Sequence, residues 1–324
     1  MFLKYHGLQR DPFGDTPNPD FLYFSSSHRE ALAALLCGVE LGRGFLALIA
    51  PPGMGKTTLL FKLMKHLRSS TRIVFLFHTQ CTSREFMRLL LNELGWEIDQ
   101  NADLATIVDQ FNSYVLQEYR AGRRVVIIVD EAQNLDSSVL ETVRLLSDFE
   151  TPQTKLLQII LAGQPELADK LASPELRQLR QRISTFCSLT PLSHEQTGRY
   201  IRHRLRVAGC ASTLFSAQAQ EAVAQLSKGI PRNINNLCSN SLALCCALRQ
   251  NTITATMVRE VAGDFDLTKF LSNGQETSIH PDVSSAPAAL DNKLPDVEAI
   301  RSMTPAEALS YMRRVTTNLK TMPD

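Results

Sequence analysis

The sequence predicts an α/β protein, in which a parallel sheet with helices on both faces precedes a small all-helical domain. Short apolar runs such as Phe45–Ile49 and Val125–Val129 are typical of buried strands. Amphipathic helical segments alternate with such runs up to Gly163, and this alternation indicates a parallel sheet because parallel strands need crossover segments. From about Pro191 onward the pattern is helical, which predicts the second domain.

The predicted elements put several polar residues at one rim of the sheet. In order, they are strand Phe45–Ile49, a helix through Leu59–Leu67, strand Ile73–His78, helices Ser83–Leu94 and Leu104–Arg120, strand Val125–Val129, helix Ser138–Asp148 and strand Leu157–Ala162. Later helices are expected at Glu195–Gly209, Ser216–Leu226, Asn233–Leu248 and Thr254–Ala262. Ligands bind such sheets at the carboxyl ends of the strands, so the rim is expected to hold Gly53–Thr57, His78, Asp130 and Gln164.

Composition divides the chain into five segments. Residues 1–44 form an N-terminal linker with a helix from about Ser27, residues 45–190 the sheet domain and residues 191–270 the helical domain. Residues 271–303 are rich in Ser, Asn, Gln, Pro and Ala, as in flexible linkers. Residues 304–324 are expected to form a short helix that begins with a capping box and docks either on a partner or on the body of the protein.

Charge and hydropathy favour a soluble cytoplasmic protein. The formal net charge of +1 gives no overall attraction to nucleic acid or membrane. The apolar runs are much shorter than the roughly 20 residues that cross a bilayer, and the first residues do not resemble a signal peptide. The seven cysteines include no Cys-x-x-Cys pair and are interpreted as reduced core thiols.

A glycine-bearing turn between the first strand and its helix predicts a phosphate-binding loop. Its residues are Pro52, Gly53, Met54, Gly55, Lys56, Thr57 and Thr58. The two glycines let backbone N–H groups surround an anion at the positive end of a helix. Lys56 is expected to reach the outer phosphates and Thr57 to bind Mg²⁺. Ala50 occupies the usual place of the first glycine, which the turn tolerates if φ stays negative.

The strand Val125–Val129 ends in two acids that complete this prediction. Asp130 is expected to hold Mg²⁺ beside Thr57, and Glu131 to orient and deprotonate an attacking water. Alone, this run also fits a buried strand followed by a solvated helix start. Together with the phosphate loop it favours hydrolysis of a nucleoside triphosphate with Mg²⁺.

Several motifs in one order make residues 1–270 resemble the AAA+ ATPases of the ExeA/GspA secretion type. They include Asp11-Pro-Phe13, Ser27-His-Arg-Glu-Ala-Leu32, Asp130-Glu-Ala-Gln133, Leu161-Ala-Gly-Gln-Pro-Glu-Leu167, Leu179-Arg-Gln-Arg182 and Gly229-Ile-Pro-Arg232. The resemblance implies a P-loop NTPase fold with a helical lid. It also implies ATP hydrolysis that drives a conformational switch, a homo-oligomer, and a protein partner in a secretion or envelope complex.

The resemblance also implies roles for individual residues. Gln164 and Arg232 take the positions called sensor 1 and sensor 2, for which the alternatives are a turn residue and a solvated helix start. Arg180 or Arg182, near Arg177, resembles an arginine finger that enters a neighbouring subunit's site, or else belongs to an ordinary exposed helix. Tyr23 and His28 are expected near the adenine base, and the alternative for His28, with Arg29, is an ordinary first helical turn.

Two other functions stay open at this stage. One is a nucleotide-gated DNA-binding ATPase that resembles the transposition regulators TniB and TnsC. In that function Arg199, Arg202, Arg204 and Arg206, with Arg177 to Arg182, would face DNA phosphates. Such spacing on a helix is more typical of a solvated face. The other is a nucleotide switch without sustained turnover.

Overall fold

A computed structural model describes residues 2–67, 71–77, 80–96, 98–99, 101–151, 155–210 and 213–264. By their contacts these residues form two units, each described by itself. The sheet unit consists of Asp15–Leu192 and the short segment Ile230–Arg232. The helical unit consists of the described residues before Asp15, Ser193–Gly229 and the described residues from Asn233 to Asp264.

Helices and strands alternate through the sheet unit, and helices make up the helical unit. The helices are α1 (Phe2–Tyr5), α2 (Ser26–Glu40), α3 (Lys56–Leu67), α4 (Ser83–Glu93), α5 (Leu104–Arg120), α6 (Ser137–Leu146), α7 (Pro165–Ala172), α8 (Arg177–Arg182), α9 (His194–Val207), α10 (Ala217–Ser227), α11 (Pro231–Ala247) and α12 (Ala255–Asp264). The strands are β1 (Phe45–Ile49), β2 (Thr71–Leu76), β3 (Arg124–Val129), β4 (Leu157–Gly163) and β5 (Ile183–Ser188).

All five strands pair in parallel, in the order β2-β3-β4-β1-β5. Strand β1 therefore lies between β4 and β5, and β3 lies beside β4. The carboxyl ends of β1, β4 and β3 are consecutive along one edge of the sheet. Ligands of open parallel sheets bind at such an edge.

The core lies in two layers, one on each face of the sheet. Val125, Ile127 and Val129 of β3 pack in the layer that contains residues of α4, α5 and α6. The alternate residues Val126 and Ile128 pack in the other layer, with residues of α2 and α3. Because successive strand residues point to opposite faces, this pattern confirms the predicted sheet with helices on both sides.

The helical unit holds the N-terminal arm, residues 2–14. The backbone N–H of Gln9 donates to the Ala208 carbonyl at 2.9 Å, and Nε2 of His6 bonds to the Leu242 carbonyl at 3.0 Å. The rings of Phe13 and Phe215 pack edge to face at 6.2 Å. The predicted segment 1–44 is therefore divided by its contacts, since only the chain from Asp15 onward packs in the sheet unit.

Several element boundaries differ from the sequence-based prediction. Strand β2 begins and ends two residues earlier than expected, and His78 lies outside the described residues. Strand β5 was not predicted, because only Ile183 and Cys187 of its side chains are buried and its apolar signal is weak. Helix α11 begins at Pro231, which suits the first helical turn. The predicted linker 271–303 and helix 304–324 lie outside the described residues.

The cysteines are free thiols, as the sequence suggests, but they are not all in the core. Cys187, Cys238 and Cys245 are buried, and burial raises the pKa of Cys187 and of Cys245 to about 11. Cys37, in contrast, is exposed on α2, which corrects the prediction at this position. Within the described ranges, no helix is both long and apolar enough to cross a bilayer.

Candidate nucleotide site

The phosphate loop connects β1 to α3 and is shaped by two glycines. Gly53 and Gly55 have φ values of 78° and 89°, in the region that side-chain-bearing residues rarely adopt. A Cβ atom at Gly53 would lie 2.7 Å from Cβ of Arg232, so both the backbone and the available space require glycine there. Ala50 is not among the residues with positive φ, which is why alanine can replace the usual glycine.

Lys56 is buried at the start of α3 and bridges the loop. Its ammonium group donates to the carbonyl of Ala50 at 3.0 Å. The residue as a whole is 6% exposed. Burial lowers the pKa of Lys56, while the nearby carboxylates of Glu131 and Asp130 act in the opposite direction. An ammonium group held beside a glycine-bearing loop in this way can bind a polyphosphate.

Thr57 and Asp130 meet across the gap between the loop and β3. The Thr57 hydroxyl donates to Oδ2 of Asp130 at 2.6 Å, and the Glu131 backbone N–H donates to Oδ1 at 3.0 Å. Asp130 is 2% exposed, and burial raises its pKa. A buried carboxylate is costly without a counter-charge, and hydroxyl and carboxylate oxygens are ligands that Mg²⁺ prefers. These residues therefore fit a magnesium ion.

Glu131 is held by two amide groups that converge on one oxygen. Gln133 Nε2 and Gln164 Nε2 donate to its Oε2 at 2.6 and 3.0 Å. Burial raises the pKa of Glu131, but these two hydrogen bonds together with the positive charges of Lys56 and Arg232 outweigh burial, and the net pKa is lowered. The residue also has φ of 53°, an uncommon value for a residue with a side chain. The carboxylate is therefore ionised and fixed in orientation.

Gln133 is a site residue that the sequence analysis did not single out. Its Oε1 accepts the Gln164 backbone N–H at 3.1 Å, and its carbonyl accepts from Lys170 Nζ at 2.7 Å. A Cβ atom at Gly163 would lie 2.8 Å from Oε1 of Gln133. The only sequence signal for Gln133 was its place in the Asp130–Gln133 motif. Its contact with the end of β4 could not be predicted, because patterns along the sequence do not reveal contacts between distant segments.

Arg232 and His28 contact the loop through its carbonyl groups. The backbone N–H of Arg232 donates to the Gly53 carbonyl at 3.1 Å, and Nε2 of His28 bonds to the Met54 carbonyl at 3.1 Å. The Arg232 charge also influences the pKa values of Lys56 and Glu131. Tyr23 and Thr58 are half-buried and Pro52 is exposed. Their contact with a nucleotide, and the adenine role of Tyr23 and His28, stay predictions.

Comparisons with known proteins show what this architecture is similar to. A family model described as an AAA domain matches residues 39–171. The general secretion pathway protein A of Aeromonas hydrophila is 39% identical over 274 residues, which cover 85% of this chain and 49% of that protein. The chain has the AAA+ fold, contains an AAA domain at residues 39–171 and is similar to general secretion pathway protein A. It spans about half the length of that relative.

Solved structures of low sequence identity share the AAA+ fold. The ORC2 protein of Aeropyrum pernix, in complexes with ADPNP and ADP, has a TM-score of 0.63 at 16% identity, covering 79% of this chain and 72% of its own. Cdc6p of Pyrobaculum aerophilum has a TM-score of 0.65 at 15% identity, covering 81% and 73%. These similarities support the fold of this AAA+ protein.

In this AAA+ protein the candidate finger arginines lie at the opposite edge of the sheet from the phosphate loop. Helix α8 directly precedes β5, whose first residue Ile183 is beside Phe45, the first residue of β1. The phosphate loop follows the other end of β1, roughly 16 Å away at about 3.3 Å per residue. Neither Arg180 nor Arg182 is therefore placed to reach the phosphate loop of its own chain.

The two finger candidates differ in their surroundings. Arg182 donates to the Ser147 hydroxyl at 2.7 Å and pairs with Asp148. Arg180 is exposed, and its carbonyl accepts the Ile183 backbone N–H, but its side chain makes no hydrogen bond or ion pair with the described residues. An arginine that must enter another subunit's site has to be available at the surface. This requirement favours Arg180.

The arginines considered for DNA contact also differ. Arg204 is 9% exposed, donates to the Tyr200 hydroxyl at 2.7 Å and to the Pro12 carbonyl, and stacks 5.6 Å from the centre of the Tyr200 ring. It therefore stabilises the helical unit and is not available to phosphates. Arg199 pairs with Glu195 at 2.5 Å and Arg202 donates to Gln220 at 2.6 Å. These contacts fit the interpretation of α9 as a solvated face.

Proposed function

We propose that this AAA+ protein binds ATP with Mg²⁺ and hydrolyses it to drive a conformational switch in secretion or cell-envelope assembly. The observation that carries the proposal is the contact between Thr57 and Asp130 at 2.6 Å, next to the buried ammonium group of Lys56. It joins two segments that are 73 residues apart. A hydroxyl, a carboxylate and a cation at the mouth of a phosphate loop match the needs of a metal-bound triphosphate.

Each residue then has a role in the reaction. Mg²⁺, held by Thr57 and Asp130, offsets phosphate charge when bound. Lys56 and the loop amides bind the outer phosphates, and Glu131 orients a water molecule toward the terminal phosphorus. As water attacks, its proton passes to the Glu131 carboxylate and the bond to the ADP oxygen breaks. Gln164 keeps the carboxylate in place and acts beside the terminal phosphate.

Magnesium dependence tests the enzymatic part of the proposal. With saturating ATP and Mg²⁺ we expect steady release of phosphate, and with excess EDTA a loss of at least about 100-fold, because the charge on the transferred group is no longer offset. A phosphate-release assay measures both, and added Mg²⁺ should restore the rate. Equal rates with Mg²⁺ and with EDTA would contradict the proposal, whereas nucleotide binding without turnover would favour a switch.

Helix α11 provides a route for the conformational switch. Its first residues, Pro231 and Arg232, belong to the sheet unit, and the helix continues from Asn233 in the helical unit. We expect the charge of Arg232 to sense the terminal phosphate, and its backbone N–H bonds to the Gly53 carbonyl. We expect its contacts to differ between the ATP and ADP states, because only differential contacts can shift such an equilibrium.

A homo-oligomer would complete the site, with Arg180 of one subunit acting at the nucleotide of the next. An arginine finger contributes about 1,000-fold or more to turnover, so we expect a loss of that order for Arg180→Ala and little change for Gln178→Ala on the same helix. A mixture of Arg180→Ala and Lys56→Ala copies should turn over faster than either variant alone, because some interfaces then combine an intact loop with an intact finger. A mixture no faster than its components would reject Arg180.

The name of the Aeromonas relative supports the biological setting. General secretion pathway protein A suggests that this chain acts with a protein partner in a secretion or envelope machine, from the cytoplasmic side. The chain aligns with only 49% of that protein, so this part of the proposal rests on homology. The buried Arg204 leaves the DNA-binding alternative with fewer available cations.

A further inference from the structure

Two carbonyl groups of the phosphate loop accept hydrogen bonds from residues outside the loop. Gly53 C=O accepts the backbone N–H of Arg232 at 3.1 Å, and Met54 C=O accepts from Nε2 of His28 at 3.1 Å. Both donors come from segments distant in sequence. These two hydrogen bonds therefore help to fix the loop conformation, in addition to the glycines.

These two bonds determine where the next amides point. The described residues contain no cis peptide, and in a trans peptide the C=O and the following N–H point in opposite directions. A Gly53 carbonyl held by Arg232 turns the Met54 N–H the other way, and a Met54 carbonyl held by His28 does the same for the Gly55 N–H. Those are amides of the kind that surround an anion in a glycine-rich loop.

His28 is itself held by a chain of hydrogen bonds. It is 3% exposed, and its Nδ1 lies 2.7 Å from the Ser25 hydroxyl. The Ser27 hydroxyl lies 3.2 Å from that of Ser25 and accepts the Thr190 backbone N–H at 3.3 Å. Because a carbonyl only accepts, Nε2 carries the ring proton and Nδ1 accepts from Ser25.

The same ring lies against the second glycine of the loop. A Cβ atom at Gly55 would be 3.6 Å from Nε2 of His28, in ordinary van der Waals contact. His28 thus bonds to Met54 and leaves room at Gly55 for no more than a Cβ in van der Waals contact, and both ring nitrogens of His28 are engaged in the contacts described. The His28 ring therefore lies next to the phosphate loop.

We propose that His28 is a positioning residue for phosphate binding, whose Nε2–H holds the Met54 carbonyl and so directs the Gly55 amide toward the bound phosphates. The inference rests on the proposed function, in that it requires nucleotide binding. This role of His28 differs from a direct contact with adenine, because His28 acts on the ligand through the conformation of the loop. The part of the ligand that it affects is the polyphosphate.

A ligand without a base distinguishes these two roles. Isothermal titration calorimetry would compare MgATP with magnesium tripolyphosphate for the wild type, His28→Phe and His28→Gln. We expect His28→Phe to weaken the binding of both ligands by a similar factor of about 10, the effect of losing one hydrogen bond. His28→Gln places an amide donor near the position of Nε2 and should recover most of the affinity. His66→Phe, at an exposed histidine of α3, is the matched control and should change neither.

The other possible results of these titrations would overturn either this proposal or the proposed function. A loss for ATP alone would make His28 an adenine contact and overturn the proposal, as would unchanged affinity for both ligands or a failure of His28→Gln to recover it. If His28→Phe does not unfold cooperatively, His28→Asn, whose shorter amide does not reach Met54, takes its place with the same expected loss. Absence of ATP binding by the wild type would instead reject the proposed function itself.

Discussion

Replacement of Lys56 by alanine is expected to weaken ATP binding by about 100-fold, because a charge-assisted contact to phosphate contributes up to about 3 kcal/mol. The same change should not destabilise the unliganded protein. Lys56 is buried and burial lowers its pKa, so its charged form is costly in the absence of a ligand. Calorimetric titration gives the affinity, and thermal unfolding with and without MgATP gives the stability.

Lys62→Ala provides the control for this variant. Lys62 lies on the same helix, α3, and is half-buried outside the loop. We expect it to retain both affinity and turnover. In a strain without its chromosomal copy, the Lys56→Ala protein should also fail to restore secretion. Undiminished ATP affinity in Lys56→Ala would contradict the assignment of the phosphate loop.

Replacement of Glu131 by glutamine is expected to preserve ATP binding within about threefold while lowering turnover by about 100-fold to 10,000-fold, the contribution of a positioned general base. Glutamine keeps the size of the side chain and a carbonyl oxygen for the amide donors of Gln133 and Gln164. It cannot accept the proton of the attacking water. Titration of ATP beside a phosphate-release assay separates the two effects.

Glu175→Gln is the matched control, since Glu175 is exposed and distant in sequence from the acids after β3. It should leave the rate unchanged. Equal turnover by Glu131→Gln and the wild type would remove Glu131 from the mechanism. Loss of ATP binding in Glu131→Gln would show instead that this carboxylate supports the loop.

Much of the site is encoded locally. Gly53 and Gly55 precede a helix that begins at Lys56, and Asp130 follows a run of buried apolar residues. Such patterns depend only on neighbouring residues. The rule that parallel strands present their carboxyl ends at one edge then joins them, and in the structure Thr57 and Asp130 do meet.

Other features depend on packing between distant segments. Tertiary contacts turn His28 toward Met54, place Gln133 between Glu131 and Gln164, and bury Arg204 beneath the N-terminal arm. A histidine, a glutamine or an arginine in a helical pattern gives no signal of which partner it meets. The sequence also did not predict β5, because an edge strand with few buried residues has little apolar periodicity.

The sequence by itself therefore determined the parallel sheet, the phosphate loop and the acids that follow β3, since periodicity and turn chemistry are local properties. Only the tertiary structure decided which donors hold the loop carbonyls, how Glu131 is oriented and on which edge α8 lies. The physical reason is that a hydrogen bond between residues such as His28 and Met54 forms only after the core has packed the elements that carry them.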